Sequence, residues 1–397
     1  MKTNAGVLVT WVRHAAEIPP EIWAECFPPP LEGRWWYETL EKSALETQFL
    51  FLYALIHLHG VVVGVVPCFL MNVPISLVAP SGVAKLLDWM GAIIPRCKYQ
   101  RTLFVGSPCS DEGTIGVVRD ITIATIAPGL QAALQAKAQE LRAPLIVWKD
   151  LPDRAAQELA ALSPSLGLFK LLSFPGTCVS LGGTTFGSYL KTFNADRRYR
   201  LTKKLKRSAK MGRLETAVVQ QPDAAMRQEI FRLFWQTYQK GKTKFETLTP
   251  AFFEHIALAP NSYFVLLRDP ATGKLVAFML CFHGGTRIIN KFIGLDYTYT
   301  GDWFLYFRLW QAAVSWAMTA GGEEIQSGQT GYRAKYDLGH KLMGLTNFCK
   351  HRNPLLHWVF HRMARQVTWR TLDLELGLYY KNAKSQPPYP EKSVSDS

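Results

Sequence analysis

The sequence predicts an α/β (α+β) chain of two tandem domains, each a mixed, mostly antiparallel sheet flanked by helices. Three observations carry that expectation. At 397 residues the chain exceeds what one hydrophobic core usually supports. The element order β, α, α, β, β, β, α, β, α runs through each half with no repeat of the sequence itself. In the second half, three strands joined by short turns precede the long helix, which disfavours a doubly wound parallel sheet.

The first half opens with the strand VLVTWV and helices around PEIWAECF and RWWYETLEKS. The apolar stretch at 49–71 is long enough to cross a membrane, but His57, His59, Gly60, Gly64 and Pro67 interrupt it. Its β-branched and aromatic residues on either side of a His-Gly turn predict a buried hairpin. The strand RTLFVG, a helix at 127–143, the strand PLIVWKDL and a helix DRAAQELAAL follow, then extended FKLLSF and TCVSLG.

In the second half, LETAVVQ and the helix AAMRQEIFRLFWQTYQK lead through a shorter helix from TPAFFEHIAL into a meander. Its strands SYFVLLRD, KLVAFMLCFH and RIINKFIGLD are joined by turns at Asp269-Pro270-Ala271-Thr272-Gly273 and Gly284-Gly285. A helix is expected over 302–320, capped by Asp302, buried along Tyr306, Leu309, Trp310, Ala313 and Ala317, and ended by Gly321-Gly322. The domains are therefore set at 1–181 and 214–382, with a basic inter-domain helix at 182–213 and a disordered tail at 383–397.

Apolar content of 48% with 19% charge fits a soluble globular protein and excludes general disorder. Seven scattered cysteines, with no pair at metal-ligand spacing, point to reduced thiols, no bound metal and a cytoplasmic chain. The N-terminus lacks the apolar run of a signal peptide, and no integral membrane segment is expected. Net charge is +14, and ten Lys or Arg between Lys191 and Arg213 face Asp196 alone. The basic character thus belongs mainly to one segment, which suits a solvated helix or contact with an acidic carrier protein, RNA phosphates or an anionic surface.

The element order and several phrases resemble the GNAT acyltransferase superfamily, in the tandem-domain form of the Fem-type aminoacyl transferases and N-acyltransferase relatives. The most specific stretch is residues 176–223, where Arg197, Arg200, Lys204, Lys206, Arg207 and Gly212 match a basic helix core followed by the strand that opens the second domain. A second match joins IINKFIGLDY, the helix LYFRLWQAAVSWAMTAGG and the loop IQSGQTGYRAKYDLGHKL. One departure is visible. Acyl-CoA users of this superfamily commonly carry a glycine-rich turn before that helix for the pyrophosphate, whereas here it reads DYTYTGDWF, and GSPCSDEGTIG in the first half is no better.

The resemblance implies amide formation where the fourth and fifth strands of a domain splay apart. Such chemistry must align an amine with an activated carbonyl, take up a proton and stabilise an oxyanion. Asp296 at the end of the fourth strand is the leading base or amine-binding carboxylate, with a turn cap as its bland reading. His283, beside the Gly-Gly turn, is a second base, and Tyr332 is a donor to the oxyanion or leaving group. Lys291 inside an apolar strand faces either an edge or a cleft. Gln326, Ser327, Gln329, Arg333 and Lys335 line the loop as substrate contacts, and Arg197, Arg200, Lys204 and Arg207 as contacts to donor or carrier. Cys281 is expected in the core. His357 and His361, four apart on a helix, have no third ligand nearby.

The expected function is transfer of an acyl group from acyl-CoA or an acyl-carrier protein to a small-molecule primary amine, with no tightly bound cofactor. An aminoacyl transferase using charged tRNA is the enzymatic rival. A non-catalytic protein binding acidic ligands through the basic helix is the other.

Overall fold

The computed structural model describes residues 6–74, 99–241 and 246–380, so the expected tail at 383–397 lies outside the described residues. Two sheets organise it. Strands β1 (Val7–Val12), β2 (Leu50–Leu58), β3 (Val61–Pro74), β4 (Tyr99–Val105), β5 (Gly116–Val117), β6 (Leu145–Pro152), β7 (Phe169–Leu172) and β8 (Gly176–Ser180) come from the first half. From the second come β9 (Glu215–Val219), β10 (Ser262–Arg268), β11 (Leu275–Gly284), β12 (Arg287–Leu295), β13 (Glu324–Ser327), β14 (Lys341–Met343) and β15 (Leu345–His351). The expected hairpin is β2 and β3, turning through His59 and Gly60, both at positive φ, a backbone that matches strand twist.

The helices of six residues or more are α1 (Pro20–Cys26), α2 (Arg34–Glu41), α3 (Ile123–Glu140), α4 (Asp153–Leu166), α5 (Phe186–Lys191), α6 (Ala195–Met211), α7 (Ala224–Lys240), α8 (Pro250–Ile256), α9 (Leu305–Thr319), α10 (Tyr332–Asp337) and α11 (Pro354–Ala364). Helix α3 starts at the Thr122 cap, earlier than expected, and carries Pro128 inside its second turn. The expected basic helix at 182–213 is two helices, α5 and α6, with Asn194 capping the second.

The first sheet runs β1-β2-β3-β4-β6-β15-β7, with β5 on β3, and the second runs β14-β8-β13-β12-β11-β10-β9. The boundary drawn at 181 and 214 divides the chain but not the sheets. Strand β8, from the first half, pairs with β13 and β14, while β15, from the second half, lies between β6 and β7. Each half thus completes the other's sheet. Within each sheet one pair is parallel, β4 with β6 and β12 with β13, and the remaining pairs are antiparallel.

The two halves also share a core. Trp36 of α2 packs edge-on against Phe252 of α8 and Phe282 of β11, with ring centroids at 6.1 and 5.5 Å. The Gln48 side chain bonds the backbone N–H and carbonyl of Thr247, both at 2.8 Å. Such an aromatic, hydrogen-bonded junction holds two units as one body.

Helix α9 buries Leu309, Trp310, Ala313 and Ala317 as expected, with Tyr306 half-buried. Its start differs. Asp302 sits in a 3₁₀ turn, Gly301–Trp303, and the helix begins after Phe304 at φ 41°, with no side-chain cap. Asp302 is drawn away because Arg207 of α6 grips its carboxylate with two nitrogens, the Nε at 2.9 Å.

Candidate functional site

Strands β12 and β13 pair from Arg287–Glu324 to Asn290–Ser327 and then part, since β13 ends while β12 continues along β11 to Leu295. At the parting point β12 carries a bulge. Leu280 opposes Phe292 and Cys281 opposes Asn290, so Lys291 is the extra residue, and its side chain is re-aimed by the local kink. The Lys291 side chain is only 1% exposed.

Its ammonium donates to Glu32, lies 3.7 Å from Asp111 Oδ2 and sits 4.8 Å above the Trp36 ring. Glu32 also accepts from Ser110 Oγ at 2.7 Å, and Trp36 donates to Ser107 Oγ at 3.1 Å. Burial works against the lysine's charge, but the Asp111 and Glu32 carboxylates outweigh it and hold the ammonium above its ordinary range. Burial pushes the Asp111 carboxyl up against the opposing pull of Lys291, and its Oδ2 has no hydrogen-bond partner among the described residues.

The far wall is the loop after β13. Lys335 is buried and donates to the carbonyl of Gly328, and burial brings it down to about 8, with Asp111 opposing. A Cβ on Gly328 would stand 2.7 Å from Asp111 Oδ1, so the backbone here passes directly against that carboxylate. Gln326 Oε1, Gln329 Nε2 and both ring nitrogens of His340 are buried without partners among the described residues. Burial and then Lys335 push the His340 imidazole well below its usual range. Asn290 Nδ2 donates to Ser327 Oγ at 3.2 Å, which ties the two strands together at the point of parting.

The first half presents the corresponding opening. Strands β4 and β6 pair up to Val105–Trp148, after which β4 turns into the loop that carries Ser107, Ser110, Asp111 and Glu112. Glu112 reaches Arg287 of β12 at 3.4 Å. At the end of β6, Lys149 pairs with Asp150, whose backbone holds φ 53° and whose N–H donates to Asn347 of β15 at 2.7 Å. A left-handed Asp is uncommon, and the contact from the exchanged strand holds it there. The two openings therefore face one another across a single polar cluster.

Of the residues singled out in sequence, Lys291 and Lys335 belong to this cluster, while Gln326, Ser327 and Gln329 lie at the parting end of β13 and just beyond it. The cluster does not gather Asp296, which takes its turn-capping role: Oδ1 accepts from the Thr298 N–H at 3.0 Å and hydroxyl at 2.7 Å, and Arg232 lies 3.6 Å from Oδ2. Burial opposes, yet Thr298 and Arg232 hold that carboxyl below its usual value. His283 Nε2 is 2.9 Å from the Ala320 carbonyl at the hairpin end. Tyr332 is fully buried, and its hydroxyl donates to Pro175 O at 2.8 Å. Arg333 is exposed. Cys281 is in the core, and the rings of His357 and His361 pack on Phe169.

Four cations of the basic helix make contacts within the chain. Arg200 pairs with Asp196, Lys204 with Asp337 at 2.7 Å, Arg207 with Asp302, and Arg197 stacks on Tyr336 at 4.9 Å. Sequence reasoning missed Glu32, Asp111, Glu112 and Lys149. An acidic pair inside the glycine-flanked loop GSPCSDEG was the one available signal; nothing local marks Glu32.

Two sheets, each with a parallel pair that splays toward the other, define a tandem GNAT-like protein. Residues 172–369 match the FemAB-like family model, described as peptidoglycan biosynthesis/recognition, and the chain belongs to this Fem-type, GNAT-like family. Among solved structures, FemX is 14% identical with a TM-score of 0.56, covering 89% of this chain and 100% of its own. A conserved protein of unknown function from Bacteroides thetaiotaomicron is 12% identical at a TM-score of 0.53, covering 86% and 99%. A tandem GNAT protein from the clavulanic acid biosynthesis pathway is 10% identical at 0.51, covering 88% and 99%. At these identities the likeness is one of fold. No curated protein matches the chain.

Proposed function

We propose that the chain is an amide-forming transferase that moves an acyl group onto a primary amine in the gap between β12 and β13. One observation carries this reading: the buried Asp111 Oδ2, without a hydrogen-bond partner among the described residues, stands 3.7 Å from the Lys291 ammonium where the two strands part. An amine placed against Asp111 Oδ2 gives up its proton to that carboxylate as its nitrogen attacks. The carbonyl oxygen gathers negative charge toward Lys291, the new C–N bond forms and the bond to the leaving group breaks. Lys335, brought to about 8 by burial, supplies the proton that the leaving group needs. A buried carboxyl raised by desolvation suits the base, because its affinity for the proton approaches that of its task.

An aminoacyl ester is the donor favoured by the turn before α9. Its acidic Asp302 is paired with Arg207, and Ser208 donates to the Trp303 carbonyl, leaving no glycine-rich nest for a pyrophosphate. The resemblance to the Fem-type aminoacyl transferases leans the same way. Acyl-CoA or a carrier thioester is the alternative donor.

The test supplies purified chain with aminoacyl-tRNA or acyl-CoA and a pool of primary amines, and follows new amides by mass spectrometry. Product from aminoacyl-tRNA that disappears in Asp111→Asn is expected. Product from acyl-CoA alone overturns the donor assignment, and no amide with either donor returns the chain to the class of binding proteins.

A further inference from the structure

Helix α11 has two faces of different character. Inward, Ala364 is buried, His357 and His361 lie against Phe169 at 5.0 and 5.6 Å, and Phe360 packs on His351 at 5.5 Å. Outward, its first turns leave Leu355 68%, Trp358 59% and Leu356 40% exposed. Leu355 and Trp358 are three apart and therefore share one side of the helix. An exposed Trp-Leu cluster on a folded surface marks an interaction site.

The surrounding charge is of one sign. Between Gly344 and Leu372 there is no Asp or Glu, and Arg352, Arg362 and Arg365 are exposed around the helix, none in an ion pair among the described residues. The Arg362 guanidinium lies 5.9 Å from the Trp358 ring. In α6, by comparison, Arg200, Lys204 and Arg207 each have an acidic partner within the chain.

We propose that this face of α11 docks on an anionic lipid surface. Arginines meet the phosphates of the headgroups, Trp358 sits at the headgroup level, and Leu355 and Leu356 enter the acyl boundary. Exposed aliphatic side chains on the same helix as these cations gain nothing from RNA, whose phosphates and bases want charge and stacking alone. A phosphate-rich surface with hydrocarbon beneath it satisfies both halves of the pattern. The helix is short, and it lies on the surface without crossing it.

Flotation of the full chain with phosphatidylcholine vesicles, with and without phosphatidylglycerol, tests this. Binding to the phosphatidylglycerol vesicles only is expected, weakened ~10-fold or more by Leu355→Ser with Trp358→Ser, and likewise by Arg362→Glu with Arg365→Glu. Urea midpoints of both variants stay at the parent value, because the altered side chains are exposed. Absence of flotation, or variants that float like the parent, overturns the proposal. So does a dimer by light scattering that Leu355→Ser with Trp358→Ser converts to monomer, which assigns the face to a second copy. Bound nucleic acid lost in Arg362→Glu with Arg365→Glu, without vesicle binding, assigns it to RNA.

Discussion

The Lys291 ammonium and the Asp111 carboxylate stand 3.7 Å apart at the meeting of the two halves, one on a β-bulge and the other on a loop. Glu32 shares the lysine, so three buried charges depend on one another. Lys291→Met leaves two carboxylates without their cation and is expected to cost about 3–5 kcal/mol in urea unfolding. Adding Glu32→Gln recovers part of the loss. The cost grows as pH rises past the ordinary carboxylate range, because the stranded Asp111 carboxyl, already pushed up by burial, keeps its proton in the folded chain after the unfolded chain has released it.

Lys335 sets an alkaline limit. With its ammonium brought down to about 8 from 10.5, transfer rates should fall above about pH 8 as the proton for the leaving group is lost. In Lys335→Arg, whose guanidinium keeps its charge, that limb disappears even if the maximal rate is lower. Stability moves the other way. Between about 8 and 10.5 the unfolded chain holds the proton that the folded chain has released, so the parent gains stability with rising pH and Lys335→Met does not.

Gly328→Ala places a methyl 2.7 Å from Asp111 Oδ1 and must displace the carboxylate. Transfer should fall by about 10- to 100-fold, since misplacement by an ångström is enough to break a reacting geometry. Its urea midpoint should change little compared with Lys291→Met. Equal rates for Gly328→Ala and the parent would remove Asp111 from the reaction.

Tyr332→Phe separates packing from catalysis. The hydroxyl is committed to Pro175 O inside a core with Trp369, Leu376 and Tyr379, so its loss should lower stability by about 1–3 kcal/mol. The transfer rate of the folded variant should equal the parent's. A rate defect without a stability defect would restore Tyr332 to the reaction.

Exchange of β8 and β15 makes each sheet depend on both halves of the chain. Calorimetry should therefore give one cooperative transition, and a chain ending before Leu345 should lose the strand between β6 and β7 and fail to fold. Two separated transitions would show that the halves are independent.

Much of the scaffold was legible because its causes are local. The His59-Gly60 turn needs two left-handed residues between apolar runs, and α9 repeats its apolar positions at helical spacing. Both signals lie within a few residues of the structure they specify. Within the site, Lys291 stood out as a cation in an apolar strand, and Lys335 as part of a glycine-punctuated polar loop. Asp296 stands at the expected strand end, but its neighbour Thr298 satisfies it as a turn, and β12 and β13 part earlier, at the bulge.

Glu32 and Asp111 had no comparable signal. A lone Glu before an aromatic helix and an Asp in a loop read as solvated charges, and each becomes a buried partner of Lys291 only when segments far apart in the chain pack together. The exchanged strands follow the same logic. Residues 176–180 and 345–351 are each apolar enough to form a strand, but hydrophobic pattern carries no address for the neighbour. The choice between two sheets falls to long-range hydrogen bonding and burial summed over the whole molecule, and that sum places the two parting strand pairs face to face across one polar cluster.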